Sequence, residues 1–137
     1  MDKYTPEKIK KIKRNEIFVF GSNLLGIHGS GAAKDAMSFG AVRGIGIGHE
    51  GQTYALPTKD HKIKTLPLEE IQRFVNEFYD YVVQHPEFIF LITKIGCGLA
   101  GYEVTQIAPM FKEFVNLPNV RLPKEFVEHL NFQKTHA

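Results

Sequence analysis

Residues 16–31 read EIFVFGSNLLGIHGSG. After Glu16, the opening residues are apolar and either β-branched or aromatic, which predicts a buried strand over residues 16–20. A loop rich in turn residues follows. Good helix formers then predict a helix over residues 32–39 that stops at Gly40. A strand, a glycine-rich loop and a helix in this order are typical of the repeating unit of α/β folds.

The rest of the chain continues this alternation. The apolar run at 88–93 is typical of a central parallel strand, whereas residues 41–51 are too rich in glycine to predict a strand. The remaining predicted elements are a strand over 53–57 ending at Pro57, a helix starting near Thr65 and running to about Gln84, a glycine loop over 94–101, a helix over 103–116, an edge strand over 119–122, one or two helical turns over 124–130, and a tail over 131–137. We therefore predict a three-layer α/β/α sandwich with a mostly parallel or mixed sheet.

Length and composition narrow the class of protein. A chain of 137 residues is one domain of ordinary size. The one cysteine, Cys97, excludes an internal disulfide and a cysteine-based zinc site, and the six histidines lack metal-ligand spacing, so we expect no metal and no cofactor. No apolar run approaches ~20 residues, and the first residues lack the apolar centre of a signal peptide. These features predict a cytoplasmic protein with no membrane partner.

The positive charge is concentrated at one end of the chain. Residues 1–14 carry six basic and two acidic side chains, whereas the rest of the chain carries eleven and thirteen. This basic segment is interpreted either as a patch for nucleic acid or an acidic partner, or as a solvated, frayed lead-in to the first strand. We favour the lead-in because no aromatic residues are interleaved with the charges, so nucleic acid is not an expected partner.

The twelve glycines are clustered. Nine lie between Gly21 and Gly51, and the other three are Gly96, Gly98 and Gly101. Both clusters follow predicted strands, and ligands of open α/β sheets bind beyond the carboxyl ends of the strands. Backbone N–H groups without a Cβ nearby favour a phosphate or diphosphate there. The alternative is that both loops are tight turns required by close packing of helix against sheet.

Two familiar phosphate motifs fit poorly. Residues 96–101 match G-x-G-x-x-G, but this dinucleotide fingerprint normally follows the first strand of its unit, and here it follows the third. Residues 28–34 lack the spacing and the Lys-Ser/Thr pair of a Walker A loop. Neither loop is therefore diagnostic of a nucleotide site by itself.

Three segments carry a resemblance to a known family. They are FGSNLLGIHGSGAAK over residues 20–34, YALPTK over 54–59 and IGCGLAGY over 95–102. Together they resemble the macrodomain superfamily, which binds ADP-ribose and related nucleotides, and in particular small phage and bacterial macro-like proteins. The resemblance covers roughly residues 16–122 and implies a single macrodomain-like domain over 1–137.

The resemblance also implies roles for individual residues. Residues 28–33 would be the first phosphate-binding loop, residues 96–102 would be the second, and Asn23 would face the ribose. The last segment is similar to the IGCGLD segment of the branch that removes terminal ADP-ribose from proteins, in which a lysine matching Lys59 attacks the anomeric carbon. This chain departs from that branch at Ala100, which stands where the branch has an aspartate that assists the reaction.

Each of these residues also has a simpler interpretation. Lys59 is interpreted as a nucleophile, as a phosphate or ribose contact, or as an ordinary surface lysine. Cys97 precedes a predicted helix, where a thiol pKa can fall, but a structural role is favoured. His28 and His49 are interpreted as phosphate donors or as loop residues with local hydrogen bonds. Tyr102 either stacks on a base or fills the core.

Three functions follow. The preferred one is binding of ADP-ribose, a related phosphorylated nucleotide or an ADP-ribosylated macromolecule. The alternatives are an ADP-ribosyl hydrolase with Lys59 as catalytic residue, and an interaction protein with a degenerate pocket that uses its basic N-terminal segment.

Ser22 and Asn23 suit either a ligand hydroxyl or a turn. The predicted ligand-binding residues are Gly21, Ser22, Asn23, His28, Gly29, Ser30, Gly31, Gly96, Cys97, Gly98, Leu99, Ala100, Gly101 and Tyr102.

Overall fold

The computed structural model describes residues 4–136, which form a mixed α/β fold. A five-stranded sheet is built from β1 (Glu16–Asn23), β2 (Gly48–Glu50), β3 (Thr53–Lys59), β4 (Ile89–Ile92) and β5 (Val120–Arg121). Four α-helices accompany it in the described part: α1 (Gly31–Ala36), α2 (Leu68–Gln84), α3 (Val104–Ile107) and α4 (Lys124–His136). Two 3₁₀ helices span Met37–Phe39 and Ala108–Asn116. The α/β class and the mixed sheet are thus confirmed.

The sheet has the strand order β2-β3-β1-β4-β5. The last four strands in this order run parallel to one another, and β2 pairs antiparallel with β3 at one edge. Phe18 in the central strand is in register with Thr53 on one side and Leu91 on the other. The carboxyl ends of β3, β1 and β4 therefore meet at the same edge of the sheet.

Both faces of the sheet are covered. Ile17 and Val19 of β1 belong to a large buried cluster with α2, the 3₁₀ helix Ala108–Asn116 and α4. Phe18 and Phe20 point to the other face and pack in a smaller cluster with residues of α1. This alternation is the two-residue period of a strand that is buried on both faces, and it explains the unbroken apolar run of β1.

Helix α2 ends at Gln84 as predicted, but it begins at Leu68, three residues after Thr65. Its buried positions Ile71, Val75, Phe78 and Val82 follow a spacing of three or four residues, so one side of the helix faces the core. Pro67 lies at the N-terminal boundary, where a missing N–H costs nothing, and two glutamates occupy the first turn. Pro86 comes two residues after the end of the helix, beyond the C-cap residue His85. No helix among residues 4–136 is long and apolar enough to cross a membrane.

Two strands are longer than predicted. β1 continues through Gly21, Ser22 and Asn23, because these residues pair with Leu56, Pro57 and Lys59 of β3. The prediction that β3 ends at Pro57 is wrong. Proline is tolerated there because β2 pairs only as far as Ala55, so Pro57 has no antiparallel neighbour in that strand.

Two helices also differ from prediction. The single helix over 103–116 is instead the one-turn α3 followed by a 3₁₀ helix, because Pro109 cannot donate the hydrogen bond that an α-helix needs. The C-terminal helix α4 runs to His136, beyond the one or two turns predicted and through most of the expected tail. Phe126, Val127 and Leu130 pack it against the larger core cluster.

The N-terminal segment is docked on the sheet, so the prediction of a frayed lead-in is wrong for its described part. Tyr4 forms a parallel bridge with Leu122, and the N–H of Thr5 donates to Leu122 O at 2.8 Å. The Thr5 hydroxyl is buried and lies 2.6 Å from Ile92 O and 2.8 Å from Arg121 O. The chain thereby crosses the carboxyl ends of β4 and β5.

Candidate functional site

A cleft of about 1320 Å³ lies at the carboxyl edge of the sheet. Its floor is made by the ends of β1, β3 and β4, and its walls by the loop before α1, the loop after β4 and the N-terminal segment. The prediction that the two glycine loops share one edge is therefore confirmed for the described chain. An atom at the Cβ position of Gly21 would lie only 3.7 Å from the backbone nitrogen of Gly96.

Most of the predicted site residues line this cleft. They are Gly21, Ser22, Asn23, Gly29, Ser30, Gly31, Lys59, Gly96, Gly98, Leu99 and Ala100. Four others lie near the loops but do not line the cleft: His28, Cys97, Gly101 and Tyr102. The two loops thus contribute to one cavity mainly through backbone and small side chains.

The loops present backbone donors to this cavity. Among residues 4–136, the N–H groups of Gly29, Ser30 and Gly31 have no acceptor within the protein, and those of Gly98, Leu99 and Ala100 have none either. All six residues line the cleft, and five of them are exposed. Unpaired N–H groups on a concave surface attract anions. Both sets of unpaired N–H groups thus belong to residues that line one cavity.

The second loop is held firmly beneath these donors. Tyr102 N–H donates to Gly96 O at 2.9 Å, and the Thr65 hydroxyl donates to Ala100 O at 2.9 Å. Gly96 has a φ of +80°, and a Cβ there would lie 2.9 Å from Ile107 Cδ1. A side chain at this position would therefore be strained and crowded.

Ser22 and Asn23 are used by the turn. The Ser22 hydroxyl is buried and donates to Gly46 O. The Asn23 Nδ2 group donates to Ile27 O at 2.8 Å, and its Oδ1 accepts from Ile27 N–H at 3.0 Å. The turn interpretation thus accounts for both side chains, although Asn23 retains a second N–H and a lone pair beside the cleft.

Lys59 lies at the end of β3 and lines the cleft. Within the described residues it forms no ion pair. The adjacent Asp60 is engaged in its own turn, where its Oδ1 accepts from Lys62 N–H at 2.8 Å and Lys64 N–H at 3.0 Å. These N–H groups hold the pKa of the Asp60 carboxyl below its usual value. Asp35, by contrast, is exposed and lines the cleft.

Lysines outnumber acids around the cleft. Five lysines and three acidic side chains line it: Lys8, Lys10, Lys59, Lys94 and Lys124 against Glu7, Asp35 and Glu125. One pair is joined, since Lys94 Nζ lies 2.9 Å from Glu125 Oε2. This hydrogen bond raises the pKa of Lys94 and lowers that of Glu125. The excess of positive charge favours an anionic guest.

Cys97 does not have the environment of a nucleophile. Its side chain is half-buried against the larger core cluster, and this burial raises the thiol pKa to about 11. The nearby Lys94 ammonium acts in the opposite direction but is outweighed by burial. Burial thus outweighs any lowering of the thiol pKa by the following helix, and the favoured structural interpretation of Cys97 fits its surroundings.

His28 and Tyr102 also have structural contacts. His28 is buried edge-on to Phe20, and its Nε2 lies 3.1 Å from Val42 O and 3.2 Å from Ile45 O. The Tyr102 hydroxyl donates to Leu66 O at 2.7 Å while its ring packs on the larger core. The core-filling interpretation therefore fits Tyr102, and the local hydrogen-bonding interpretation fits His28.

His49 lies away from the cleft. Its Nε2 donates to Gly51 O at 2.7 Å, because a carbonyl oxygen can only accept. Its Nδ1 therefore accepts from the Tyr81 hydroxyl. The two rings meet edge-on, and Phe88 packs against His49 in the same way. This group joins β2 to α2. The interpretation of His49 as a loop residue is therefore wrong, because it lies in β2 and its bond to Tyr81 connects that strand to α2.

Part of the first glycine cluster serves packing. A Cβ at Gly46 would lie 2.0 Å from Asn23 O, so only glycine allows this contact between the two loop segments. Gly31 and Gly98 differ, because a Cβ at either would meet nothing within 4 Å. The packing interpretation therefore holds at Gly46, whereas the open space at Gly31 and Gly98 belongs to the cleft.

Sequence reasoning missed several residues of the cleft. Thr5, Lys8 and Lys10 come from the segment interpreted as a lead-in, whereas Lys94 follows β4 and Lys124 begins α4. The basic charge around Lys8 and Lys10 is visible in the sequence, but the place of these residues beside the cleft is not, because long-range pairing of the strands brings them there. Within residues 4–136, no group of three or more histidine, cysteine, aspartate or glutamate side chains could hold a metal ion.

Comparison of the chain with models of protein families, with curated proteins and with solved structures found no match. The macrodomain resemblance therefore stays a prediction.

Proposed function

We propose that the cleft binds a phosphorylated nucleotide of the ADP-ribose type. The observation that carries the proposal is the set of unpaired backbone N–H groups that two separate glycine loops present to one cavity. A diphosphate has enough oxygens to accept from both loops at once. The excess of lysines over acidic residues around the cleft also favours a negatively charged ligand.

The size of the cleft supports an extended ligand. Its volume of about 1320 Å³ exceeds the roughly 300–1,000 Å³ that is usual for small-molecule sites. Exposed apolar side chains line it as well, among them Tyr4, Ile27 and Leu99, which offer surfaces for a base or ribose. The cover on both faces of the sheet fits the three-layer sandwich that the macrodomain resemblance implies.

Calorimetry tests this proposal. We expect ADP-ribose to bind with micromolar affinity and adenosine, which has no phosphate, to bind at least about a hundredfold more weakly. ADP serves as a further probe, because it retains the diphosphate and lacks the second ribose. Millimolar or absent affinity for ADP-ribose would contradict the proposal, as would equal affinity for adenosine.

A second candidate function is hydrolysis of an ADP-ribosyl bond. The position of Lys59 in the cleft, without an ion pair among the described residues, favours it. A neutral Lys59 Nζ would attack the anomeric carbon, and the bond to the modified carboxylate would break with its electron pair on the leaving oxygen. Water would then hydrolyse the lysine adduct. With Ala100 at the family's aspartate position and Asp60 held in its turn, Asp35 is an exposed acid of the cleft that could assist the reaction.

Release of ADP-ribose from an ADP-ribosylated protein tests this second function. Activity that is lost in both Lys59→Ala and Lys59→Arg, with ADP-ribose binding retained in Lys59→Arg, would support a nucleophile. Activity retained in Lys59→Ala would contradict it. If wild-type protein neither binds nor releases ADP-ribose, the interaction protein with a degenerate pocket becomes the better interpretation.

A further inference from the structure

The N-terminal strap, defined as residues 4–10, is anchored at its start. The Thr5 hydroxyl contacts Ile92 O and Arg121 O, and the Thr5 N–H donates to Leu122 O at 2.8 Å. Its first residue, Tyr4, also bridges to Leu122. These bonds hold the beginning of the strap against the carboxyl ends of β4 and β5.

The strap is also anchored at its far end. Ile9, together with Ile12 just beyond, packs against the smaller core cluster that includes Phe18 and Phe20. A few residues later, Gln52 Nε2 donates to Lys13 O at 2.8 Å, and Glu16 N–H donates to the same oxygen at 3.0 Å. The strap is therefore tied on both sides of an exposed stretch, Pro6 to Lys8, that lines the cleft.

Two lysines of the strap face the same cavity as the glycine loops. Lys8 and Lys10 line the cleft and are exposed, whereas Lys11 and Lys13 do not line it. Among residues 4–136, neither Lys8 nor Lys10 forms an ion pair. Their charges are thus available to an anion in the cavity that the glycine loops also line.

We propose that the strap is a wall of the ligand site and that Lys8 and Lys10 bind the phosphate groups of the ligand. The inference rests on the proposed function for the identity of the nucleotide, but its chemistry requires only an anion with more than one charge. The strap therefore gives the cleft a preference for diphosphates over ligands with a single negative charge. It assigns a binding role to the part of the basic segment that faces the cleft.

Paired charge variants of the full chain test the proposal. Lys8→Ala with Lys10→Ala removes two charges that line the cleft, and Lys11→Ala with Lys13→Ala removes two from the same segment outside it. We expect the first double variant to bind ADP-ribose about tenfold more weakly than wild type and the second to remain within about twofold. The difference should shrink as salt is raised, because exposed charges are screened.

Inorganic pyrophosphate separates this inference from the proposed function. If wild type binds pyrophosphate but not ADP-ribose, and only the Lys8/Lys10 variant loses pyrophosphate, the strap site stands and the ADP-ribose proposal fails. Equal affinities for the two double variants with either ligand would overturn the strap inference. Failure of wild type to bind either probe would overturn both.

A matched pair at Thr5 tests the wall itself. Thr5→Val keeps the side-chain shape but removes the hydroxyl bonded to Ile92 O and Arg121 O, whereas Thr5→Ser keeps the hydroxyl. We expect weaker ADP-ribose binding in Thr5→Val, by about threefold to tenfold, and near wild-type binding in Thr5→Ser. Hydrogen exchange at residues 5–10 should accelerate only in Thr5→Val. Unchanged binding together with accelerated exchange would contradict a role for the strap in the site.

Discussion

Asn23 and Ile27 exchange two hydrogen bonds across the turn that follows β1, one in each direction between the Asn23 amide and the Ile27 backbone. The turn carries the chain from the end of the central strand to the exposed N–H groups of Gly29–Gly31. The Asn23 side chain therefore sets where the first loop lies relative to the second.

Replacing Asn23 tests this relationship. Asn23→Ala loses both bonds, and we expect it to lower the free energy of unfolding by about 1 kcal/mol, because the pair is partly exposed. That corresponds to a fall in Tm of about 3 °C, together with weaker ADP-ribose binding. Asn23→Asp keeps the acceptor for Ile27 N–H, and its effect should be intermediate. An unchanged Tm in Asn23→Ala would show that the turn is held by other contacts.

Gly98→Ala separates binding from folding. A Cβ at Gly98 meets no atom within 4 Å, and the residue has no positive φ. The free energy of unfolding of the variant should therefore lie within about 0.5 kcal/mol of the wild-type value. The new methyl group projects beside the donors of the second loop and should weaken ADP-ribose binding severalfold. Calorimetry with thermal unfolding measures both. Full affinity in a stable Gly98→Ala variant would contradict a close approach of ligand to this loop.

Gly46→Ala, in contrast to Gly98→Ala, should destabilise the fold. A Cβ at Gly46 would lie 2.0 Å from Asn23 O, so the two loop segments must separate. We expect a loss of about 3 kcal/mol or more in the free energy of unfolding. Urea denaturation measures it, with Gly98→Ala as the matched glycine-to-alanine control. Equal stability of the two variants would show that the contact relaxes freely.

Because of Cys97, the stability of the fold should depend on pH in the alkaline range. Burial raises the pKa of its thiol from an ordinary 9.0 to about 11, so the folded chain binds this proton more tightly than the unfolded chain. The stabilisation is full below about pH 9 and is lost as the pH rises through 11. The Tm of wild type should therefore fall more steeply over this interval than the Tm of Cys97→Ser, because the serine hydroxyl at position 97 does not titrate in this range.

Alkylation reports the same property of Cys97. Only the thiolate reacts with iodoacetamide, so native protein should react slowly near neutral pH and progressively faster towards pH 11. Unfolded protein in urea is the reference and should react at lower pH. A native rate that reaches its plateau near pH 8 would contradict a raised pKa and would reopen a nucleophilic role for the thiol.

Helix α2 and the shared edge of the two glycine loops could be predicted because their signals are local. The apolar positions from Ile71 to Val82 have helical spacing between two prolines, and each glycine loop directly follows an apolar run. Pro109 was a local signal as well. It lies inside the predicted helix over 103–116 and ends α3 at Ile107.

The rest of the site depends on contacts between distant residues. Nothing near Thr5 in the sequence indicates that its hydroxyl will meet Ile92 O and Arg121 O. Likewise, the contact of Gly46 with Asn23 O, which makes glycine necessary, becomes visible only when the two loop segments are packed. Both are set by strand pairing, so neither the strap nor the division of the glycines could be obtained from local patterns.

The hydrogen bonds of Thr5 also bear on the order of assembly during biosynthesis. Thr5 is made well before its partners, Ile92 and Arg121, which lie 87 and 116 positions further along the chain. Closing loops of that length is slow and must await translation of both strands. A nascent chain that already has β1, α1 and β3 therefore still lacks one side of its cleft. Ligand capture should begin only after β5 has left the ribosome.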